Sequence, residues 1–149
     1  MKPHPLRNID ILLVEPDPKS AELIERAVRR SCPSCFLQRV GRPEEAEPYL
    51  EANGQDLPVR RLNPSLILLG LPDAKDQATI GLMQWLRNHA RTKHLPVVVL
   101  SSVEDPVSIR RAYDLGASSY LVKPAKEEDL ETLLGAAASY WTTFNHPPE

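Results

Sequence analysis

The chain has 149 residues, enough for one domain with a real core, and its 42 % apolar and 26 % charged content is globular rather than disordered. Eighteen Lys and Arg against twenty Asp and Glu leave a net charge of −2, which supplies no electrostatic footprint for nucleic acid or an anionic membrane. No apolar run approaches the ~20 residues of a membrane helix. The opening Met1-Lys-Pro-His-Pro-Leu-Arg7 meets polar Asn8 and Asp10 without the apolar stretch of a signal peptide, so the cytosol is the expected compartment.

Ile9-Asp-Ile-Leu-Leu-Val14 reads as a strand buried on both faces. Asp17 followed by Pro18 is a helix start, a capping carboxylate before proline at the first helical position, and Ala21, Leu23, Ile24, Ala27 and Val28 follow at helical spacing. Phe36 to Val40 is a second strand, Gly41 to about Asn53 a second helix weakened by Pro48, and Gly54 to Pro64 a loop. Leu66-Ile-Leu-Leu69 is the third strand, and a polar loop through Asp73 and Asp76 leads to a helix carrying Leu82, Met83, Trp85 and Leu86. Pro96-Val-Val-Val-Leu100 is the fourth strand. Asp105-Pro106 repeats the cap-then-proline start, and Gly116 ends that helix as its C′ residue. Tyr120-Leu-Val122 is a short fifth strand, and the last helix carries Leu130, Leu133, Leu134, Ala137, Ala138 and Trp141 as an apolar stripe.

Five buried strands alternating with five helices predict a doubly wound α/β domain on a parallel sheet. A tail over residues 1–8, a domain over 9–144 and a tail over 145–149 describe the organisation, with no attached output domain expected. In such a fold sites form beyond the carboxyl ends of the strands. That selects Glu15 to Asp17, Gly70 to Pro72, Ser101, Ser102 and Lys123.

Those positions carry a family resemblance. Ile11-Leu-Leu-Val-Glu15, Pro64-Ser-Leu-Ile-Leu-Leu69, Pro96-Val-Val-Val-Leu-Ser-Ser102 and Gly116-Ala-Ser-Ser-Tyr-Leu-Val-Lys-Pro124 together resemble the receiver domain of two-component response regulators, from about Ile9 to Trp141. The arginine-containing second loop and the ending Ser139-Tyr-Trp-Thr-Thr-Phe-Asn-His-Pro-Pro148 are similar to the small stand-alone receivers of bacterial phytochrome kinases. The resemblance implies a flavodoxin-like five-stranded sheet in the order 2-1-3-4-5. It also implies an aspartate ending the third strand to accept a phosphoryl group, and two acidic residues ending the first to hold Mg²⁺. A Ser or Thr ending the fourth strand and a Lys ending the fifth would bind the phosphoryl oxygens. A hard cation is bound through oxygens, so each missing carboxylate matters.

Gly70 stands where the aspartate is expected and Pro16 where a second acid is expected, whereas Glu15, Ser101, Tyr120, Lys123 and Pro124 match. Glu15, Pro16, Asp17, Gly70, Ser101 and Lys123 therefore form the expected relict of a phosphorylation pocket, with no catalytic residue, no cofactor, and no metal beyond weak Mg²⁺ at Glu15. Lys123 is expected to pair with Glu15 or Asp17, because an unpaired buried charge is costly. Asp17 is expected to serve as a cap, and Asp73 to lie in solvent.

Tyr120 falls at the family's switch position, where a ring turns inward when the Ser or Thr hydroxyl moves toward phosphate; the alternative is a static, half-buried ring. Tyr140, Trp141 and Phe144 suggest an interface near the chain end. Cys32-Pro-Ser-Cys35 follows a helix instead of opening one and lacks a second pair for zinc, so two ordinary thiols are expected. His4, His89, His94 and His146 receive no role.

The reading is a non-enzymatic, phosphorylation-independent receiver. Its expected partners are protein only: a histidine kinase or phytochrome, and a second copy through the face of the fourth helix, fifth strand and fifth helix, with no nucleic acid and no membrane. The competing readings are phosphotransfer on another acceptor (Asp17, Asp73 or Ser101) and small-ligand binding on a flavodoxin-like fold.

Overall fold

In the computed structural model, which describes residues 9–51, 64–70 and 76–141, every expected strand forms. They are β1 (Ile9–Val14), β2 (Cys35–Val40), β3 (Leu66–Gly70), β4 (Val97–Ser101) and β5 (Ser119–Val122). All neighbouring pairs are parallel, in the order β2-β1-β3-β4-β5. The helices are α1 (Pro18–Ser31), α2 (Ala46–Glu51), α3 (Gln77–Asn88), α4 (Pro106–Asp114) and α5 (Glu127–Ser139). Strand ends differ from the expected ones by at most one residue, within the usual uncertainty of element boundaries.

Apart from Asp10 near the start of β1 and Ser101 at the end of β4, the central strands are apolar because both faces are covered. On one face Ile11, Leu13, Leu66, Leu68, Val98 and Leu100 meet Ala21, Ile24 and Val28 of α1 and Leu130 and Leu134 of α5. On the other, Leu12, Val14, Ile67, Leu69, Val97 and Val99 meet Leu50 of α2, Leu82, Met83 and Leu86 of α3, and Ala112 of α4. Residues alternate between the faces because successive side chains on a strand point opposite ways.

Both expected caps are present. Asp17 accepts from the Ser20 amide at 3.1 Å and its hydroxyl at 2.9 Å. Asp105 accepts from the Val107 amide at 3.3 Å. Gly116 follows α4 with φ of 105°, a conformation side chains rarely adopt, and a Cβ there would lie 2.5 Å from Arg87 Nε. The Arg87 guanidinium donates to the carbonyls of Lys93 (2.8 Å), Leu95 (3.0 Å) and Gly116 (2.6 Å), tying α3 to the approaches of β4 and β5.

Two expectations need correction. The second helix does not start at Gly41: a 3₁₀ turn, Pro43–Glu45, precedes the short α2. Pro43 and Pro48 lack amide donors, and Pro48 is accommodated in the first turn of α2, where an amide has no partner within the helix. The remainder of that expected helix and most of the Gly54–Pro64 loop lie outside the described residues. Cys32 and Cys35 are not free thiols. They form a disulfide joining the C-cap of α1 to the first residue of β2, with Cα atoms 5.4 Å apart. A helix ending before the cysteines offers no N-terminus to stabilise a thiolate, yet the turn after it still brings the two sulfurs together.

Candidate functional site

The carboxyl ends of β1, β3, β4 and β5 converge on one edge of the sheet. Pairing places Gly70 beside Leu100 and Ser101 beside Val122, so the residues just past each strand share one pocket. Its centre is the Glu15 carboxylate, buried to 3 % exposure. Lys123 Nζ donates to Glu15 Oε1 at 3.2 Å, and the Asp17 amide donates to Glu15 Oε2 at 3.1 Å. The expected pairing of Lys123 is thus with Glu15. Asp17 faces solvent as a cap; the hydrogen bonds from the Ser20 hydroxyl and amide hold its carboxyl below its ordinary value.

Gly70 makes room for this arrangement. A Cβ on residue 70 would lie 2.7 Å from Glu15 Cδ and 3.2 Å from Oε2, with Oε1 nearer still. Real Cβ atoms do not approach that closely, so the Glu15 carboxylate fills the volume a side chain at 70 would need.

Ser101 is buried at 2 % exposure, and its Oγ accepts from the Val103 amide at 3.1 Å. Its carbonyl accepts from the Lys123 amide at 2.8 Å. Tyr120 is half-buried against the face formed by α2, α3 and α4, and its hydroxyl donates to the Val103 carbonyl at 2.7 Å. The Tyr120 amide donates to the Tyr113 hydroxyl of α4 at 3.1 Å.

One participant was not foreseen in the sequence. Arg39, near the end of β2, sends Nε and Nη2 to the Glu15 carbonyl at 3.1 and 2.9 Å, and Nη2 to the Pro16 carbonyl at 3.4 Å. The only available signal was a cation within an otherwise largely uncharged strand, Cys-Phe-Leu-Gln-Arg-Val. Its guanidinium holds the main chain of the loop after β1.

Among the described residues no group of three or more His, Cys, Asp or Glu side chains could hold a metal ion, and no helix is long and apolar enough to cross a membrane. Asp73, His4, His146 and Phe144 lie outside the described residues. His89 stacks near Trp85, with Nδ1 2.8 Å from the Trp85 carbonyl. Trp141 packs against α1 and α5, its ring meeting Tyr140 edge-on at 5.0 Å, while Tyr140 is 53 % exposed.

No protein-family model matches the chain. It is 33 % identical over 141 residues to FilR2 of Methanothrix harundinacea, described as a probable methanogenesis regulatory protein, covering 93 % of this chain and 86 % of FilR2. The chain belongs to the response-regulator receiver family. Among solved structures, this receiver superposes on the phosphorylated cyanobacterial phytochrome response regulator RcpA with a TM-score of 0.81 and 28 % identity, covering 96 % of this chain and all of that one. It superposes on the bacteriophytochrome response regulator RtBRR with a TM-score of 0.68 and 30 % identity, over 95 % of this chain and 85 % of that one.

Proposed function

We propose that this receiver signals through protein contacts without being phosphorylated on an aspartate. The observation that carries the reading is the Glu15 carboxylate standing in the space next to Gly70. With no side chain at 70 there is no nucleophile at the end of β3, and Pro16 offers no side-chain oxygen to a cation. Phosphoryl transfer relies on metal charge to neutralise the moving group, and a single, already paired carboxylate is a poor substitute for that cluster. Ser101 and Lys123, which would bind the phosphoryl oxygens in the family, are engaged by Val103 and Glu15. The pocket is thus a relict, and the proposed domain runs over residues 9–144. The domain works as a non-enzymatic module.

The working surface in this reading is the α4–β5–α5 face. Val107 and Tyr113 of α4 and Tyr140 at the end of α5 are 64 %, 47 % and 53 % exposed and offer apolar surface to a partner on that face. A second copy and a sensor kinase of the photoreceptor type are the proposed partners, the latter because RcpA and RtBRR are phytochrome response regulators. The proposed compartment is the cytosol. Cytosolic surroundings are reducing, so there the Cys32–Cys35 bond would open to two thiols by exchange with the thiol pool.

The test incubates the protein with acetyl phosphate, or with beryllofluoride and Mg²⁺, and records intact mass and amide spectra. No adduct and no Mg²⁺-dependent shift at Ser101 or Lys123 is expected. A base-labile adduct on a carboxylate, or such shifts, defeats the reading and favours another acceptor. Sedimentation of the full chain and of a version ending at Ser139 tests the copy-to-copy contact. Unchanged association after truncation removes Tyr140, Trp141 and Phe144 from the interface.

A further inference from the structure

The pocket and the α4 face are joined by an unbroken chain of contacts. Glu15 Oε1 accepts from Lys123 Nζ, the Lys123 amide donates to the Ser101 carbonyl, and Ser101 Oγ accepts from the Val103 amide. The Val103 carbonyl then takes the Tyr120 hydroxyl, and the Tyr120 amide reaches Tyr113, which is half exposed on α4. Every link is supplied by this chain itself.

We propose that Glu15 is a built-in replacement for the side chain missing at residue 70. Its carboxylate takes that side chain's volume and, through Lys123 and Ser101, keeps the Tyr120 hydroxyl on the Val103 carbonyl, so that the α4–β5–α5 face holds one form with no phosphoryl group present. This rests on the phosphorylation-independent reading and adds to it the residue responsible.

Three features support the assignment. The Glu15 carboxylate lies against the position a Cβ at 70 would take, with Cδ 2.7 Å and Oε2 3.2 Å from it, so a negative charge stands beside residue 70 although residue 70 carries none. Both Glu15 oxygens have donors, the Lys123 ammonium and the Asp17 amide, so the carboxylate is fixed in direction. Arg39 clamps the carbonyls of Glu15 and Pro16 from β2, which fixes the backbone that carries it. Arg39 is a positioning residue in this scheme: its cationic group holds the loop after β1 from outside the pocket.

A shared volume predicts a specific non-additivity. Gly70→Asp in the natural background pushes a Cβ and a second carboxylate onto a buried one, and the thermal midpoint should fall by about 5 °C or more. In a Glu15→Ala background the same substitution meets empty space and can pair with Lys123, so its cost should be less than half as large or change sign. Amide spectra supply the second readout. Glu15→Ala should shift Val103 and Tyr120 as well as Lys123, and Glu15→Ala with Gly70→Asp should move them back toward the natural positions. Should Glu15→Ala fail to fold, Glu15→Gln keeps the volume, removes the charge and tests the same amides. An equal cost of Gly70→Asp in both backgrounds overturns the shared volume. Unmoved Val103 and Tyr120 signals overturn the chain to α4. Neither result depends on labelling of the unmodified protein by phosphodonors, which separately decides phosphorylation independence.

Discussion

Replacing Glu15 by Gln isolates the charge at the centre of the pocket. The Glu15 side chain is 4 % exposed and that of Lys123 is 25 % exposed. Removing one partner of a fully buried pair costs about 3–5 kcal/mol, because the other charge is stranded. Lys123 keeps a quarter of its surface, so water can compensate part of that loss and the figure is an upper bound. One charge-assisted hydrogen bond, about 1.5–3 kcal/mol, is the better guide to what is lost. The Gln oxygen can still serve either the Asp17 amide or Lys123, though its amide group repels the other donor. The expected loss is therefore about 2 kcal/mol, which at this chain length lowers the thermal midpoint by about 4–8 °C. Urea unfolding followed by far-ultraviolet circular dichroism measures it, with an unchanged m-value marking a change in stability alone. A cycle with Lys123→Met separates the pair from the rest and should show a coupling of about 1–2 kcal/mol. A loss under about 0.5 kcal/mol with no coupling would mean the pair is too well hydrated to organise the pocket.

Three further outcomes follow from other contacts. Gly116→Ala should cost about 2 kcal/mol by urea unfolding, since it combines a positive φ with a Cβ against Arg87; a neutral result would show that Arg87 moves freely. Reduction of Cys32–Cys35, or Cys32→Ser with Cys35→Ser, should lower stability by only about 2 kcal/mol because the closed loop is so short, and calorimetry with and without a phosphine reductant reads it. Asp17→Ala should lower the thermal midpoint at neutral pH. The carboxyl of Asp17 is held below its ordinary value, so its contribution is full above the unfolded-chain value and fades as pH falls through the folded one. The gap between Asp17→Ala and the natural protein should therefore narrow in acid, and a gap of constant size at pH 7 and pH 3 would contradict the cap's ionic character.

Arg87 shows how local signals and tertiary contacts divide the work. Its burial pushes the guanidinium below its ordinary value, yet it remains a cation held by two carbonyls just before β4, Lys93 and Leu95, and by that of Gly116, 29 residues away. Gly116 was legible as a helix end from α4's pattern alone; its second reason for being glycine, Arg87 lying over it, was not.

Residue pattern alone is enough to set the strands, the parallel sheet and the two Asp-Pro helix starts. Solid apolar runs such as Leu66–Leu69 and Val97–Leu100 can be satisfied only with both faces covered, and a cap acts within one turn. It also located the pocket, because strand ends in such a sheet face one edge, and it foresaw that Lys123 needs a carboxylate. Tertiary structure decided which carboxylate and where it sits. Glu15 and Lys123 are 108 residues apart, and only the packed sheet brings the Glu15 oxygens against Gly70. The same holds for Arg39, whose role exists only because β2 lies beside β1, and for Tyr120, whose hydroxyl finds Val103 across the β4–β5 pair. Periodicity and capping are set by neighbours within a few residues, whereas charge partners, the turn that joins Cys32 to Cys35, and the volume left by a glycine are set by what packing places beside them.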